Sequence, residues 1–393
     1  MYLDSEDEKI LNGEYGETRR QMMELLVALG KVFDAERLIP ISSAQVAGAS
    51  YKTIGKWGLE WLSNLNARAV VPAVLNPIGM DQHRWQEMGI DADFAEKQEA
   101  VIAAYNNLGI RLECTCTPYY LYTTNFGDHL AWSESSAVCY ANSVIGARTN
   151  REGGPSALAA ALVGKTPEYG LHLMENRLPQ VHVQVEGEKG LHTDHYGALG
   201  YLAGKEVGNR IPIFTGIRPN RDQLKTLGAA QAASGAVALF HVAGITPEAR
   251  IERLNMTPDA LETITIETSA IEELFTAMPV EAIAIGCPHC SPDELEELAD
   301  LFEGRTVVLP VYIFAARGVL EAHRDLVERI ETSGAGVFAD TCVVVSPAMD
   351  RYGAIMVNSG KAYAYIPNMC GAKARLGTTE ECVAVACGED MGE

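Results

Sequence analysis

The apolar positions of the chain change period along its length, and the changes mark out helices and strands. Between residues 17 and 33, Met22, Leu25, Leu26, Leu29 and Val32 recur at helical spacing, which predicts an amphipathic helix. A short apolar run at 37–41 predicts a strand. The following stretch, 42–50, is rich in Ser, Ala and Gly and suits a binding loop. Residues 53–63 read as helix. Residues 69–75 read as a β-branched, buried strand that breaks at the turn Asn76-Pro77-Ile78-Gly79. Residues 92–108 are helical in pattern, and 110–115 form a strand that runs straight into Cys116-Thr117-Pro118-Tyr119.

Further along, helices are predicted at 135–147 and 156–163, and strands at 181–185, 211–215, 237–241 and 283–285. Ser291 reads as the N-cap of a helix over 292–302, with Asp293 and Glu294 in its first turn. A strand at 305–309, a helix at 318–332 and a strand at 336–339 continue the alternation. Strands alternating with helices imply an α/β fold of mainly parallel sheets with helices on both faces. A boundary near 208–211 would divide an N-terminal α/β lobe, 1–210, from a C-terminal one, 211–393.

Composition narrows the function classes. With 47% hydrophobic and 21% charged residues over 393 positions, the chain can bury a large core and is not disordered. It carries 31 Lys+Arg against 52 Asp+Glu, a formal net charge of −21. That balance disfavours nucleic acid and anionic membrane surfaces as partners. A small anionic substrate is still allowed, because a pocket can be locally positive. Residues 227–245 lack charge over a length that would suit a membrane span. Gln231, Ser234, His241 and three glycines favour instead a buried helix followed by a strand. The acidic start, residues 1–9, has none of the features of an export signal, so a cytoplasmic location is expected. In that setting the nine cysteines are expected to be core residues or ligands rather than a disulfide framework.

Three of these cysteines follow predicted strand ends: Cys116 after 110–115, Cys287 after 283–285 and Cys342 after 336–339. Ligands of open α/β sheets collect beyond the carboxyl ends of strands, so three thiols from such ends could share one crevice. In an extended strand Cys114 and Cys116 would point to the same face, with Cys116 nearer the mouth. Cys114 and Cys116 with Cys287 and Cys290 would also permit a zinc site, and Cys287 with Cys290 a redox pair. Both fit less well than an iron–sulfur cluster or a mononuclear iron, because the two cysteine pairs do not match. Cys370 is the rival to Cys342, and Cys139 reads as helix packing. Three thiolates would leave an open coordination position for Lewis-acid catalysis, whereas four would close the site.

Several polar loops suit an anion. Gly48-Ala49-Ser50 offers small side chains and backbone N–H groups ahead of a helix. Glu134 and Ser135 open another helix, where capping is the commoner fate of such a serine. Asn358-Ser359-Gly360-Lys361 brings together a hydroxyl, a permissive backbone and a cation; Lys361 suits a carboxylate or phosphate, although a solvated turn lysine is the commoner case. Arg148 and Arg151 lie in a dense polar run, with Arg148 read as a cross-link between lobes.

Taken together, these segments resemble the large subunit of aconitase X, a divergent branch of the aconitase superfamily. The resemblance rests on residues 48–55 (GASYKTIG), Cys116-Thr117-Pro118-Tyr119, residues 132–136 (WSESS), residues 141–156 (ANSVIGARTNREGGPS), Gly286-Cys287-Pro288-His289, Asp340-Thr341-Cys342 and Asn358-Ser359-Gly360-Lys361. It implies aconitase-like α/β/α lobes around a central cleft and a hydro-lyase acting on a hydroxy acid. Archaeal members of the family dehydrate (R)-5-phosphomevalonate to trans-anhydromevalonate 5-phosphate in isoprenoid synthesis, and bacterial relatives dehydrate cis-3-hydroxy-L-proline. By motif, Cys116, Cys287 and Cys342 would hold the metal centre. A 4Fe-4S cluster is its expected form, and a 2Fe-2S cluster or mononuclear iron are the alternatives. Gly48, Ala49, Ser50, Asn76, Pro77, Glu134, Ser135, Ser359 and Lys361 would position the substrate. The family's small swivelling domain has no counterpart before Glu393, so a separate small subunit carrying the catalytic base is expected. A non-catalytic iron–sulfur or zinc-binding protein is the reading from another class.

Overall fold

Three parallel sheets follow one another along the chain. The computed structural model describes residues 1–187, 191, 193–251 and 258–389. The first part holds β1 (Leu38–Pro40), β2 (Ala44–Val46), β3 (Ala73–Leu75), β4 (Arg111–Cys114), β5 (Ala131–Trp132) and β6 (Lys165–Pro167). Four of these form a parallel sheet in the order β4-β3-β2-β5, and β1 and β6 pair separately as an antiparallel ribbon. A second parallel sheet joins β7 (Val181–Glu186), β8 (Pro212–Thr215), β9 (His241–Val242) and β10 (Thr263–Glu267) in the order β10-β7-β8-β9. The third comprises β11 (Ala282–Cys290), β12 (Val311–Ala315), β13 (Gly336–Ala339), β14 (Ala354–Val357) and β15 (Lys373–Leu376), in the order β13-β12-β11-β14-β15. The α/β class with mainly parallel sheets is therefore as expected.

The boundary expected at residue 210 falls inside the second sheet. β7 and β8 pair directly across it, Val181 with Pro212 through Gln184 with Thr215. Those ladder bonds join the strands on either side of 210 in one sheet, so the described residues form three parallel sheets rather than two lobes divided at 210.

The Ala/Gly-rich stretch after Leu227 has a packing cause. The helix Arg221–Ser234 is buried along most of its length and lies against the helix His195–Val207. A Cβ on Gly200 would stand 2.4 Å from the Leu227 carbonyl oxygen, so the two backbones touch where a larger residue would force them apart. Among the described residues no helix is long and apolar enough to cross a membrane.

Other expectations shift in detail. The helix foreseen over 135–147 is α-helical only over Ser135–Tyr140, then widens into a π-helical turn, Ala141–Ile145. There Asn142 donates to the Thr149 and Ala238 carbonyls, and Ser143 accepts the Phe240 N–H. Residues 305–309 form no strand: the Val307 N–H goes to Ser333 and the Val308 and Leu309 N–H groups go to Ala386, so the ladder begins only after Pro310. The helix foreseen over 318–332 is two, Arg317–Ala322 and Arg324–Glu331, broken at His323.

Candidate active site

Most of the residues singled out in the sequence lie on loops at the carboxyl edges of the first and third sheets; Cys287, expected after a strand ending at 285, lies instead within β11, which runs on to Cys290 past a register shift after Ile285. The chain leaves β2 into 47–50, β3 into 76–80, β4 into 115–117 and β5 into 133–135. It leaves β13 into 340–342 and β14 into 358–359, ahead of the helix Gly360–Met369. The two edges are stitched together: the Ile78 N–H donates to the Asp340 carbonyl (2.7 Å), and the Cys342 N–H donates to the Ile78 carbonyl (2.9 Å). Pro77 is buried beside that stitch.

Cys116 and Cys287 are buried and Cys342 is half-buried. Burial pushes all three thiols up, Cys116 to about 12. The ionisation of Cys342 weighs on both Cys116 and Cys287, and that of Cys116 on Cys287, so the three share one electrostatic neighbourhood. The positive charge of Lys361 reaches all three. The Cys116 sulfur also accepts the His289 backbone N–H at 3.1 Å. Among the described residues no group of three His, Cys, Asp or Glu side chains stands close enough to hold a single metal ion. Three soft thiols, neutral unless a cation draws off their protons, and one N–H···S contact are donor chemistry that suits an iron–sulfur centre.

Lys361 is not a solvated lysine. It is 4% exposed in the first turn of its helix, and its ammonium donates to Glu134 (2.6 Å) and Ser136 (3.1 Å). Glu134 also accepts from Asn76 Nδ2 (2.9 Å) and the Ser135 hydroxyl (3.2 Å). Burial alone would raise the Glu134 carboxyl; the Lys361 charge and hydrogen bond bring it below its ordinary value. The same pairing lifts Lys361 well above its ordinary value against the effect of burial. The two groups therefore stand as an ion pair. Ser359 caps its helix by accepting the Ala362 N–H (3.2 Å), and its hydroxyl donates to the Cys287 carbonyl. Ser135 is the first helical residue rather than the cap, and its hydroxyl faces Glu134.

The loop 47–50 is held from below by the helix Ala92–Asn107. Gln98 of that helix donates to the Ala49 carbonyl (2.7 Å) and accepts the Tyr51 N–H (3.0 Å), bracketing Ser50. Gly48 turns the chain with φ +83°, a conformation that favours glycine. Two side-chain oxygens in this group, Ser50 Oγ and Asn76 Oδ1, are buried without a hydrogen-bond partner. Unpaired buried acceptors are costly and mark groups that a ligand would satisfy.

The rival residues lie elsewhere. Cys114 does not share a face with Cys116, because β4 ends at Cys114; Cys114 lies near Gln82 and Asp340 instead. Cys370 lies against the Val343 and Val344 carbonyls, behind the Cys342 loop. Cys290 lines a cavity of about 360 Å³ that Cys287, Asn358 and Ser359 also line, and five carboxylates there face one lysine, Lys225. All nine cysteines are free. Arg148 donates to the His172 carbonyl (3.0 Å), a bond within the N-terminal part, while Arg151 is exposed and its charge reaches Glu134. Sequence reasoning missed Ser136, Gln45 and Gln98. Gln45 donates to the Thr115 carbonyl (2.7 Å) and accepts the Glu134 N–H (3.3 Å).

Three domain families match the chain in succession: the aconitase X first domain over residues 1–175, the second over 179–276 and the third over 280–388. The chain belongs to the aconitase X family. Its three matched domains coincide with the three parallel sheets. The phosphomevalonate dehydratase large subunit of Methanosarcina mazei is 56% identical over 393 residues, covering 99% of this chain and 98% of that one. The crystal structure of Thermococcus kodakaraensis aconitase X in its holo-form superposes with a TM-score of 0.90 at 46% identity, covering 98% of this chain and 100% of that one. The cis-3-hydroxy-L-proline dehydratase of Pseudomonas aeruginosa is 33% identical, over 98% of this chain and 70% of that protein. Within aconitase X, this chain is an enzyme of the hydro-lyase type, and the non-catalytic reading gives way.

Proposed function

We propose that this chain is the large subunit of a cytoplasmic dehydratase that removes water from (R)-5-phosphomevalonate to give trans-anhydromevalonate 5-phosphate in a mevalonate pathway. In this reading Cys116, Cys287 and Cys342 hold a 4Fe-4S cluster, and a separate small subunit closes the site. The observation that carries it is the set of hydrogen bonds that ties the three cysteine segments to one another and to the helix of the buried Lys361: the His289 N–H to the Cys116 sulfur, the His289 ring to the Thr341 carbonyl beside Cys342, and the Ser359 hydroxyl to the Cys287 carbonyl. The 56% identity to a phosphomevalonate dehydratase large subunit over nearly the whole of both chains supports the substrate.

When bound, an iron–sulfur centre with an open iron supplies Lewis acidity toward a hydroxyl leaving group. The chain's own residues do the rest. Lys361, kept charged by Glu134, binds and orients the substrate carboxylate, its third N–H left free by Glu134 and Ser136. The Ser50 hydroxyl and Asn76 Oδ1, which lack partners in the fold, pair with substrate hydroxyls. Backbone N–H groups of Gly48, Ala49 and Ser50 face the anion ahead of the helix Tyr51–Ser63. Buried Pro77 walls the pocket and excludes water, while Ser135 and Ser359 hold Glu134 and the Cys287 loop in place. The reaction takes a proton from the carbon beside the carboxylate and a hydroxyl from its neighbour, which leave together as water. The base is assigned to the small subunit.

The test is anaerobic reconstitution with iron and sulfide, addition of the small subunit, and assay on (R)-5-phosphomevalonate and cis-3-hydroxy-L-proline side by side. Turnover of the phosphorylated substrate is expected; turnover of the proline alone would assign the chain to the other branch. Iron and sulfide per chain distinguish a four-iron from a two-iron cluster. Cys287→Ala is expected to abolish both the visible absorption and the activity.

A further inference from the structure

His289 is 1% exposed, and every polar atom of its side chain is engaged by a segment that carries a cysteine. Its Nε2 meets the Thr341 carbonyl at 2.9 Å, and its Nδ1 meets the Thr115 hydroxyl at 3.0 Å. A carbonyl only accepts, so Nε2 bears the proton. Nδ1 therefore accepts from the Thr115 hydroxyl, which fixes the ring as one neutral tautomer. That hydroxyl in turn takes the Thr117 N–H at 3.0 Å and lies 3.0 Å from the Thr117 hydroxyl, so its own geometry is also set. Thr115 immediately precedes Cys116 and Thr341 immediately precedes Cys342. His289 itself lies two residues past Cys287, and its backbone N–H donates to the Cys116 sulfur at 3.1 Å. One imidazole, on the strand that carries Cys287, thus joins segments that are 174 and 52 residues away in sequence and carry the other two thiols.

We propose that His289 is a positioning residue that sets the spacing of Cys116, Cys287 and Cys342 before the cofactor arrives. The inference rests on the reading that these three thiols hold an iron–sulfur centre. A soft, flexible loop could present any one thiol; three thiols from two sheets need a common brace to hold a geometry that suits one cluster. Groups that orient metal ligands from behind commonly change affinity by about 10- to 100-fold when removed.

The experiment uses the full chain co-expressed with its small subunit and reconstituted anaerobically. Variants are His289→Ala, His289→Gln, Thr115→Val and Thr115→Ser, with Cys116→Ser as the ligand control. Iron and sulfide per chain, the visible and electron paramagnetic resonance spectra, and the melting of the cofactor-free protein are measured. Thr115→Val keeps the side-chain volume and removes the hydroxyl that faces Nδ1, so it decides the matter if His289→Ala fails to fold. The expected result is at least a threefold loss of iron per chain and an altered spectrum in His289→Ala and Thr115→Val, with cofactor-free melting close to wild type. Thr115→Ser, which keeps the hydroxyl, should restore wild-type loading, and His289→Gln, which keeps a donor and an acceptor, most of it. Full loading with the wild-type spectrum in Thr115→Val or His289→Ala overturns the inference alone. A wild-type chain that takes up no iron, or a Cys116→Ser chain that takes up as much as wild type, overturns the underlying reading and the inference with it.

Discussion

Arg177–Glu248 and Lys361–Glu134 are both buried cation–carboxylate pairs, and they are finished to different degrees. Arg177 is fully buried and spends all five N–H groups inside the protein: on Glu248 (2.7 Å), on the Asn142 side chain, and on the carbonyls of Asn142, Ala147 and Leu171. Among the described residues the second Glu248 oxygen lacks a partner, as do Nδ1 of His241 and Nε2 of His172 nearby. Arg177 locks the π-helical turn Ala141–Ile145 to the segment that follows β9. Among the described residues Lys361–Glu134 leaves one ammonium N–H unused, and Asn76, bonded to Glu134, keeps its Oδ1 unpaired. A cation whose donors are all used makes a structural joint, whereas one with a donor to spare suits a ligand. Burial and charge alone do not tell the two apart; the saturation of the cation does.

The sharpest way to break that comparison is to remove each cation. Arg177→Met leaves Glu248 charged and unpaired in the interior, at a cost of about 3–5 kcal/mol. Thermal or urea unfolding should show a stability loss of that size, or no soluble protein. Replacing both members of the other pair, Lys361→Gln with Glu134→Gln, leaves no orphan charge and should change stability by less than about 1.5 kcal/mol. The double variant should nevertheless lose roughly 10²- to 10³-fold in kcat/KM, the scale for losing a preorganised charged group. Should Arg177→Met melt like wild type while the double variant unfolds, the assignment of joint and site must be exchanged.

The ligand side of this contrast was legible in the sequence because its residues are marked locally. Cys116 and Cys342 each follow a strand, and Gly48-Ala49-Ser50 precedes a helix, so period and composition alone suggest a crevice at a sheet edge; Cys287 reads the same way, but β11 continues through it to Cys290. What the sequence conceals is pairing at a distance. Lys361 reads as a solvated turn lysine because Glu134, its partner, is 227 residues away. Gln45, Gln98 and Ser136 carry no local signal at all, since each acts through a contact that exists only once the sheets have formed. The fold follows the same rule. Strands with a clear period were found, but β14, four fully buried residues at Ala354–Val357, has no alternation to betray it. The strand expected at 305–309 was a local apolar run that the third sheet does not use.

A pH series sharpens the joint rather than the site. His241 donates from Nε2 to the Arg177 carbonyl (2.8 Å), and His172 lies 2.9 Å from His129. Burial, with the Arg177 charge adding to it, holds His241 down to about 4 and His172 down to about 3. Unfolded, each would titrate near 6.5. Below that value the unfolded chain binds more protons than the folded one, so stability must fall as pH drops from 6.5 toward 4 and is fully present only above 6.5. At pH 5 each neutral histidine costs about 2 kcal/mol, being 1.5 units below its unfolded value. Melting temperatures across pH 4.5 to 7.5 should decline toward acid, and His241→Gln should flatten the decline. An unchanged slope in that variant would show that other groups govern the acid limb.

The smallest expected effect tests how far the open network extends. Arg151 is exposed, makes no ion pair among the described residues, and its charge reaches Glu134. Its segment is held against the substrate loop, since a Cβ on Gly154 would stand 2.5 Å from the Ala47 carbonyl oxygen. A guanidinium placed there without an internal partner suits the phosphate of the proposed substrate, the end furthest from the reacting carbons. Arg151→Ala should therefore raise KM for (R)-5-phosphomevalonate about tenfold, or about 1.4 kcal/mol, and leave kcat within about twofold. Arg151→Lys, which keeps the charge without the fork, should fall between. Because the contact is made equally in ground and transition states, a variant that lowered kcat and left KM unchanged would place Arg151 at the reacting carbons instead. A variant that altered neither would confine the open network to Lys361, Glu134, Asn76 and Ser50.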